Sequence, residues 1–341
     1  MPPLPESMHT TARKIYEWYE SKKEDHREHL GASLIGHHCD RYLWLTFRWA
    51  ASPQFGGRVL RLFNTGKREE QRVYEELRAI GVELHTEEDG KQIDCRDDSG
   101  HFGGSVDGIG RGFAEGPKTW AVLEIKTAND KAFTSLKAKG VQVEKPQHYA
   151  QMQTYMGMMK LDRAMYICVN KNTDDLHTEW VHFNKETYRD LLARAERTIK
   201  RTTPADRISN DPAHWLCKMC DMYKLCHQQE PAEANCRTCC HSTPVADGKW
   251  TCHEFAKELS AEDQRKGCDS HIFIPALVHG TPIDGERNFV EYFVEGTGET
   301  FKNGPAHVTS KEVAKRGRKK TPAVDLGPKI SLDDLNDDIP F

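Results

Sequence analysis

The chain has 341 residues, 37% of them hydrophobic, with eleven cysteines and a formal net charge of -4. That length exceeds one ordinary core and predicts a domain of roughly 200 residues with smaller appendages; no run approaches about 18 apolar residues and the first twenty lack an apolar leader segment, so a soluble, cytoplasmic protein without membrane contact is expected. Asp333, Asp334, Asp337 and Asp338 account for the whole net charge, which leaves the rest neutral, excludes a general basic coat and makes any cationic groove local.

In chain order, residues 1–30 read as an N-terminal unit with a polar helix over 10–28. The stretch LIGHHCDRYLWLTFRWA predicts a more buried helix. From Asn64 to Ile80, Val73, Leu77 and Ile80 recur at helical spacing and Gly81 suits the C-cap. Strands are predicted at 82–86, 91–95, 101–110 and 118–127, then a helix at 146–160, strands at 164–169 and 177–183, and a charged helix at 184–201. Helix, β-meander, then helix and strands again predict an α/β class with a mixed central sheet flanked by helices. The sequence VEYFVEGTGETFKNG, 290–304, predicts a hairpin turning at Gly296 to Gly298. The expected boundaries are 1–30, 31–230, 231–308 for a small Cys-rich metal-bound module with the hairpin, and 309–341 for a basic linker and a disordered acidic tail.

The segment AVLEIKTAND, 121–130, sets Glu124 and Lys126 two apart at the end of an apolar run. On a strand, positions i and i+2 share a face, so an acid and a base stand side by side. Upstream, GGSVDGIG places Asp107 between glycines that allow close approach. If 101–110 pairs with 118–127, Asp107, Glu124 and the Ile125 carbonyl converge as oxygen ligands suited to Mg²⁺ or Mn²⁺. Such an ion polarises a phosphoryl group and makes hydroxide from water, while Lys126 orients that water or offsets charge on the phosphate. The bland alternative is a surface ion pair beside a turn-capping aspartate, and E-x-K alone carries little weight.

The ordered set carries more. Gly66 to Glu70 forms G-x-x-x-E, Gly104 to Asp107 G-x-x-D, Glu124 to Lys126 E-x-K, and Gln151 to Tyr155 Q-x-x-x-Y. In this order they resemble the PD-(D/E)xK nuclease superfamily, and within it the RecB-like branch of phage-recombination and CRISPR-adaptation exonucleases, over about residues 30 to 226. The resemblance implies a restriction-endonuclease-like core in which Asp107 and Glu124 bind metal, Lys126 acts on the attacking water, and Glu70 joins directly or through water, with Glu69 the adjacent alternative. Gln151 and Tyr155, at i and i+4 on one helix face, would touch the DNA strand or steady the site, although Met152, Tyr155, Met156 and Met159 also make an apolar stripe. Lys67, Arg68, His37, His38 and Arg41 are candidate DNA contacts; each is individually an ordinary surface charge.

Cys217, Cys220 and Cys226 give a C-x2-C-x5-C run with three ligands, and Cys39 is the distant candidate for a fourth. Spacing does not separate zinc from iron and sulfur. The family resemblance implies a 4Fe-4S cluster that pins the ends of the nuclease domain, with zinc as the alternative occupant. Cys236, Cys239, Cys252 and Cys268 form a second set, C-x2-C-x12-C-x15-C, expected to hold Zn²⁺, with Cys240, His241, His253 and His271 as competing ligands.

Between Lys311 and Lys320 lie six cations and one anion, a linker or a phosphate-binding segment. The chain ends SLDDLNDDIPF, and Asp337 to Phe341 resemble the acidic tip of single-stranded-DNA-binding proteins, which implies docking into a basic-rimmed apolar pocket on repair or replication partners. The reading is therefore a Mg²⁺- or Mn²⁺-dependent DNA exonuclease of phage or bacterial recombination and repair, acting in a bacterial or infected host cell, with DNA, tip-binding proteins and a recombinase as partners. The rival is a non-catalytic DNA-binding adaptor that recruits through the same tip, and a site-specific endonuclease is a third reading.

Overall fold

In a computed structural model, residues 10–22 and 26–316 are described; the acidic tip and the last four residues of the basic block lie outside them. The core is a five-stranded sheet in the order Leu176–His182, Arg163–Asn170, Ala121–Ala128, Gly108–Arg111, Glu83–His85. Its central pair, Ala121–Ala128 and Arg163–Asn170, is parallel, and the other neighbours are antiparallel. This is the mixed α/β architecture expected from the alternation of elements. A parallel pair needs a long crossover. The helices Asp130–Lys139 and Pro146–Met159 supply it.

Both faces of the central pair are covered, which is why these strands read as nearly continuous apolar runs. On one face the Gly57–Ala79 helix sets Val73, Tyr74 and Leu77 against Leu123, Ile125, Met165 and Ile167. On the other, Met152, Tyr155 and Met156 of the Pro146–Met159 helix join a cluster with Val122, Tyr166 and Cys168.

Several boundaries differ from expectation. The single strand predicted over 101–110 is two strands, Phe102–Ser105 and Gly108–Arg111, belonging to different sheets. Phe102–Ser105 lies between Leu30–Gly31 and Asp94–Arg96 in a three-stranded sheet. Val106 N–H still bonds the Ile93 carbonyl at 2.9 Å, whereas Gly108 pairs with Leu123. The chain therefore changes partners at Asp107. The predicted meander is corrected by the same change, because Glu83–His85 pairs with Gly108–Arg111 and not with the 91–95 segment.

The helix expected from Asn64 begins at Gly57, where the Glu20 carboxylate accepts the Gly57 N–H at 2.6 Å and the Thr10–Ser21 helix packs alongside. A Cβ at Gly57 would collide with the Tyr16 backbone. The buried helix after residue 34 is confined to Asp40–Phe47. Asp130–Lys139 was not anticipated, although Asn129 caps it by accepting the Ala132 N–H at 2.9 Å.

Residues 231–308 contain two small three-stranded sheets, one including the predicted hairpin as Phe289–Val294 and Glu299–Asn303, to which Thr281–Glu286 adds a third strand. They pack in the same hydrophobic cluster as the preceding chain, Trp250, Phe273 and Tyr292 joining Trp44 and Phe47. Arg237, 1% exposed, donates to the Phe47 and Glu28 carbonyls at 3.1 and 2.9 Å and lies 3.7 Å from the Trp49 ring. Among the described residues, no helix is long and apolar enough to cross a membrane.

Candidate active site

The change of partners at Asp107 builds the site. With Gly108 opposite Leu123, antiparallel register brings Asp107 opposite Glu124, and Asp107 Oδ2 accepts the Ile125 N–H at 2.7 Å. Ile125 thus spends its N–H on Asp107, while its side chain belongs to the apolar layer beneath the Gly57–Ala79 helix. Strand alternation puts Glu124 and Lys126 on one face, where Lys126 Nζ pairs with Glu124 Oε1. Glu124 is 0% exposed, whereas 21% of the Lys126 side chain remains accessible. Among the described residues Glu124 Oε1 has Lys126 as its partner, and Oε2 has none. A buried carboxylate with unmet acceptors is costly.

The electrostatics follow from this crowding. Burial pushes the Glu124 carboxyl up to about 8, Lys126 pulling it back and the Asp107 charge adding to the rise. Burial likewise raises Asp107 against the pull of Lys126 and the Ile125 N–H. Glu70 comes from the helix over the opposite layer, and burial followed by the Asp107 charge raises it to about 7, with Lys126 and Lys67 opposing. For Lys126, burial would lower the pKa, but Glu124, Asp107 and Glu70 outweigh it and the net shift is upward. The site thus gathers one ammonium and three carboxyls whose pKa values are all raised by burial. Glu69, the alternative to Glu70, instead meets Arg72 at 3.5 Å in an outer network with Asp174.

Gln151 and Tyr155 share the sheet-facing side of their helix. Tyr155 OH donates to the Ser105 carbonyl at 2.9 Å, two residues before Asp107, and its hydroxyl also bonds the Gln151 side chain. Burial, then the Glu124, Cys95 and Asp107 charges, hold the Tyr155 hydroxyl far above its usual range. A Cβ at Gly104 would press on that hydroxyl at 2.7 Å, which explains a glycine there. Two neighbours escaped the sequence reading. Tyr74, one turn beyond Glu70, is raised by burial and then by Asp107, Glu70 and Glu124; its i+4 spacing from Glu70 was an available signal. Tyr166 sits opposite Glu124 in the parallel pair, its hydroxyl 3.0 Å from His148 Nδ1. Only the register reveals it.

Of the cations proposed to meet DNA, Lys67 acts on Glu70, and Arg68 is exposed on the same helix. His37 stacks on Tyr42 and lies tilted against His38, and Arg41 bonds the Ala205 carbonyl at 3.0 Å. His38 and Arg41 line a pocket with Cys39, Cys217, Cys220 and Cys226. Burial pushes the Cys220 thiol up to about 12, with Cys226 and Cys39 adding to the rise; Cys217 is raised by burial and then by Cys39 and Cys226. The four thiols are therefore neighbours despite the long gap in sequence. In the second set, burial and then Cys239, Cys268 and Cys252 push the Cys236 thiol up to about 12. Among its competitors, His271 bonds the Asn235 carbonyl at 2.8 Å, His253 bonds Thr243 at 2.9 Å, and Cys240 is exposed beside Cys239. Among the described residues, no group of three or more His, Cys, Asp or Glu is placed so that it could hold a metal ion as it stands. The donor types suit such ions: carboxylate oxygens, with Glu124 Oε2 unpartnered among the described residues, for a hard cation, and thiols for a soft one.

No family model matches the chain, and no curated protein matches it. Among solved structures, SSO0001 is 16% identical with a TM-score of 0.38, covering 65% of this chain and 97% of its own. An alkaline exonuclease, LHK-Exo, from Laribacter hongkongensis is 14% identical with a TM-score of 0.37, covering 53% of this chain and 89% of its own. The same enzyme in complex with dAMP is 14% identical with a TM-score of 0.36, covering 54% and 89%.

Proposed function

We propose that the chain is a divalent-metal-dependent deoxyribonuclease, an exonuclease of the RecB-like type. The observation that carries this reading is the meeting of Asp107, Glu124, Glu70 and Lys126 at one largely buried point, with Glu124 Oε2 left without a hydrogen bond among the described residues. Asp107, Glu124 and the Ile125 carbonyl would hold Mg²⁺ or Mn²⁺, with Glu70 as a direct or water-bridged partner. Bound there, the ion supplies charge against the scissile phosphate and makes water a better nucleophile. Lys126, kept as an ammonium by its carboxylate neighbours, points a donor at the attacking water or at the oxygen on which charge develops. Gln151 and Tyr155 hold the bend at Ser105 and so fix Asp107 against Glu124.

On the same reading Cys39, Cys217, Cys220 and Cys226 bind a 4Fe-4S cluster, with zinc the alternative, and Cys236, Cys239, Cys252 and Cys268 bind Zn²⁺. The tip Asp337 to Phe341, outside the described residues, would dock on a basic-rimmed apolar pocket of a repair, replication or recombinase partner. Digestion of end-labelled linear DNA and of the same DNA circularised, with and without Mg²⁺, tests the activity. The reading expects Mg²⁺-dependent loss of the linear DNA alone; cutting of the circle would make the enzyme an endonuclease, and no cutting of either in Mg²⁺ or Mn²⁺ would favour the adaptor.

A further inference from the structure

Three of the four cysteines in the first set come from one short segment, 217–226, and position one another locally. Cys39 arrives from the far side of the sequence, at the end of the loop that precedes the Asp40–Phe47 helix. Its placement against the other three must come from long-range contacts. Tetrahedral thiolate sites accept only small errors in ligand position, so whatever fixes this loop fixes the site.

Among the described residues, two side chains of other helices reach that loop: Gln147 Nε2 donates to the Ser33 carbonyl at 2.8 Å, near its start, and Arg194 binds it next to Cys39. Arg194, on the Lys185–Lys200 helix, donates through Nη1 to the Ile35 carbonyl at 2.6 Å, through Nη2 to the His37 carbonyl at 2.6 Å, and through Nε to Asp40 Oδ1 at 2.7 Å. These acceptors bracket Cys39 on both sides. The Cys39 N–H in turn donates to His37 Nδ1 at 3.1 Å, which ties the cysteine to the clamped residue. The Gln147 bond lies six residues before Cys39, and the bonds of Trp44 Nε1 to the Arg201 carbonyl and Arg41 Nη1 to the Ala205 carbonyl hold the helix body, so Arg194 is the side chain whose acceptors flank the cysteine. A guanidinium is a rigid planar fork able to serve three acceptors at once, which an ammonium on a flexible stem does not reproduce.

We propose that Arg194 is a positioning residue for the four-cysteine site, holding Cys39 at the station from which its sulfur closes the ligand set. This rests on the reading of Cys39, Cys217, Cys220 and Cys226 as metal ligands. It assigns a role to a residue of the sheet-flanking helix, so that the helix and the metal site are mechanically one unit.

The test is anaerobic purification of the full chain as wild type, Arg194→Lys, Arg194→Met and Cys39→Ser, with iron, acid-labile sulfide and zinc counted per chain, far-UV circular dichroism recorded, and release of bound metal to a chelator timed. The expected result is a loaded wild type, with Arg194→Lys, which keeps charge and bulk, weakened in metal retention by about 10–100-fold, Arg194→Met by at least as much, and an unchanged helical signal. A loaded wild type with Arg194→Lys retaining its metal equally long overturns the role of Arg194 and leaves the cysteine reading standing. A wild type whose metal content equals that of Cys39→Ser overturns the cysteine reading, and the role of Arg194 with it.

Discussion

Glu124 carries opposite costs in two states. Without a cation it is a fully buried carboxyl with Oε2 unpartnered among the described residues, and burial raises its pKa to about 8 and that of Glu70 to about 7. A raised carboxyl pKa means that the folded chain binds those protons more tightly than the unfolded one. The corresponding stability is fully present below the ordinary carboxylate range and is lost as pH climbs through about 7 to 8. The melting temperature of metal-free protein should therefore fall between pH 6 and 8.5 in wild type and fall less in Glu124→Gln, with Mn²⁺ reversing the wild-type fall; parallel curves for the two proteins would contradict this. Loading a cation on these groups expels protons, so titration calorimetry in buffers of different ionisation enthalpy should show proton release that shrinks toward pH 9. Lys126→Ala should lower the rate of DNA cleavage by about 10²–10³-fold with its circular dichroism unchanged. A rate equal to wild type would remove the lysine from the chemistry. Most of this site is legible in the sequence because strand period and helix phase carry it: Glu124 with Lys126 at i and i+2, Gln151 with Tyr155 at i and i+4. Tyr166 and Arg194 are not legible, since one depends on parallel register and the other on a contact spanning more than 150 positions.

At the scale of elements, local signals work where propensity and packing agree. The Pro146–Met159 and Lys185–Lys200 helices and the Ala121–Ala128 strand lie close to their predicted spans. Failures fall where tertiary contacts decide. The extra turns from Gly57 to Phe63 depend on the Thr10–Ser21 helix and the Glu20 carboxylate, and the break at Asp107 depends on two sheets claiming one segment. Gly57→Ala should force those helices apart and cost about 1–3 kcal/mol, read by urea unfolding. Tyr155→Phe removes the bond to the Ser105 carbonyl and should cost about 1 kcal/mol, with a loss of cleavage rate if the bend at Asp107 loosens. An unaltered rate with the stability loss present would make Tyr155 purely structural.

At the scale of the whole molecule, the sequence divides at residue 230, but hydrogen bonds and packing run across that point. Arg48 donates to the Arg237 and Ser242 carbonyls, Glu233 N–H bonds the Ala50 carbonyl, and Asn235 reaches the Trp49 carbonyl at 2.8 Å. Composition shows the cysteine cluster but not Arg237, whose guanidinium works against Trp49 and Trp250 in the shared interior. Calorimetry should consequently give one cooperative transition for residues 26–316, and two separated transitions would show that the segments melt independently. The central claim, that Asp107 and Glu124 together hold the cation that cuts DNA, is tested most directly by Mn²⁺ titration calorimetry on wild type, Asp107→Asn and Glu124→Gln beside cleavage of end-labelled linear DNA by the same samples. The account predicts that each substitution abolishes one class of Mn²⁺ binding and cleavage together; a substituted protein that still binds Mn²⁺ as wild type does and degrades the DNA at the same rate would contradict it.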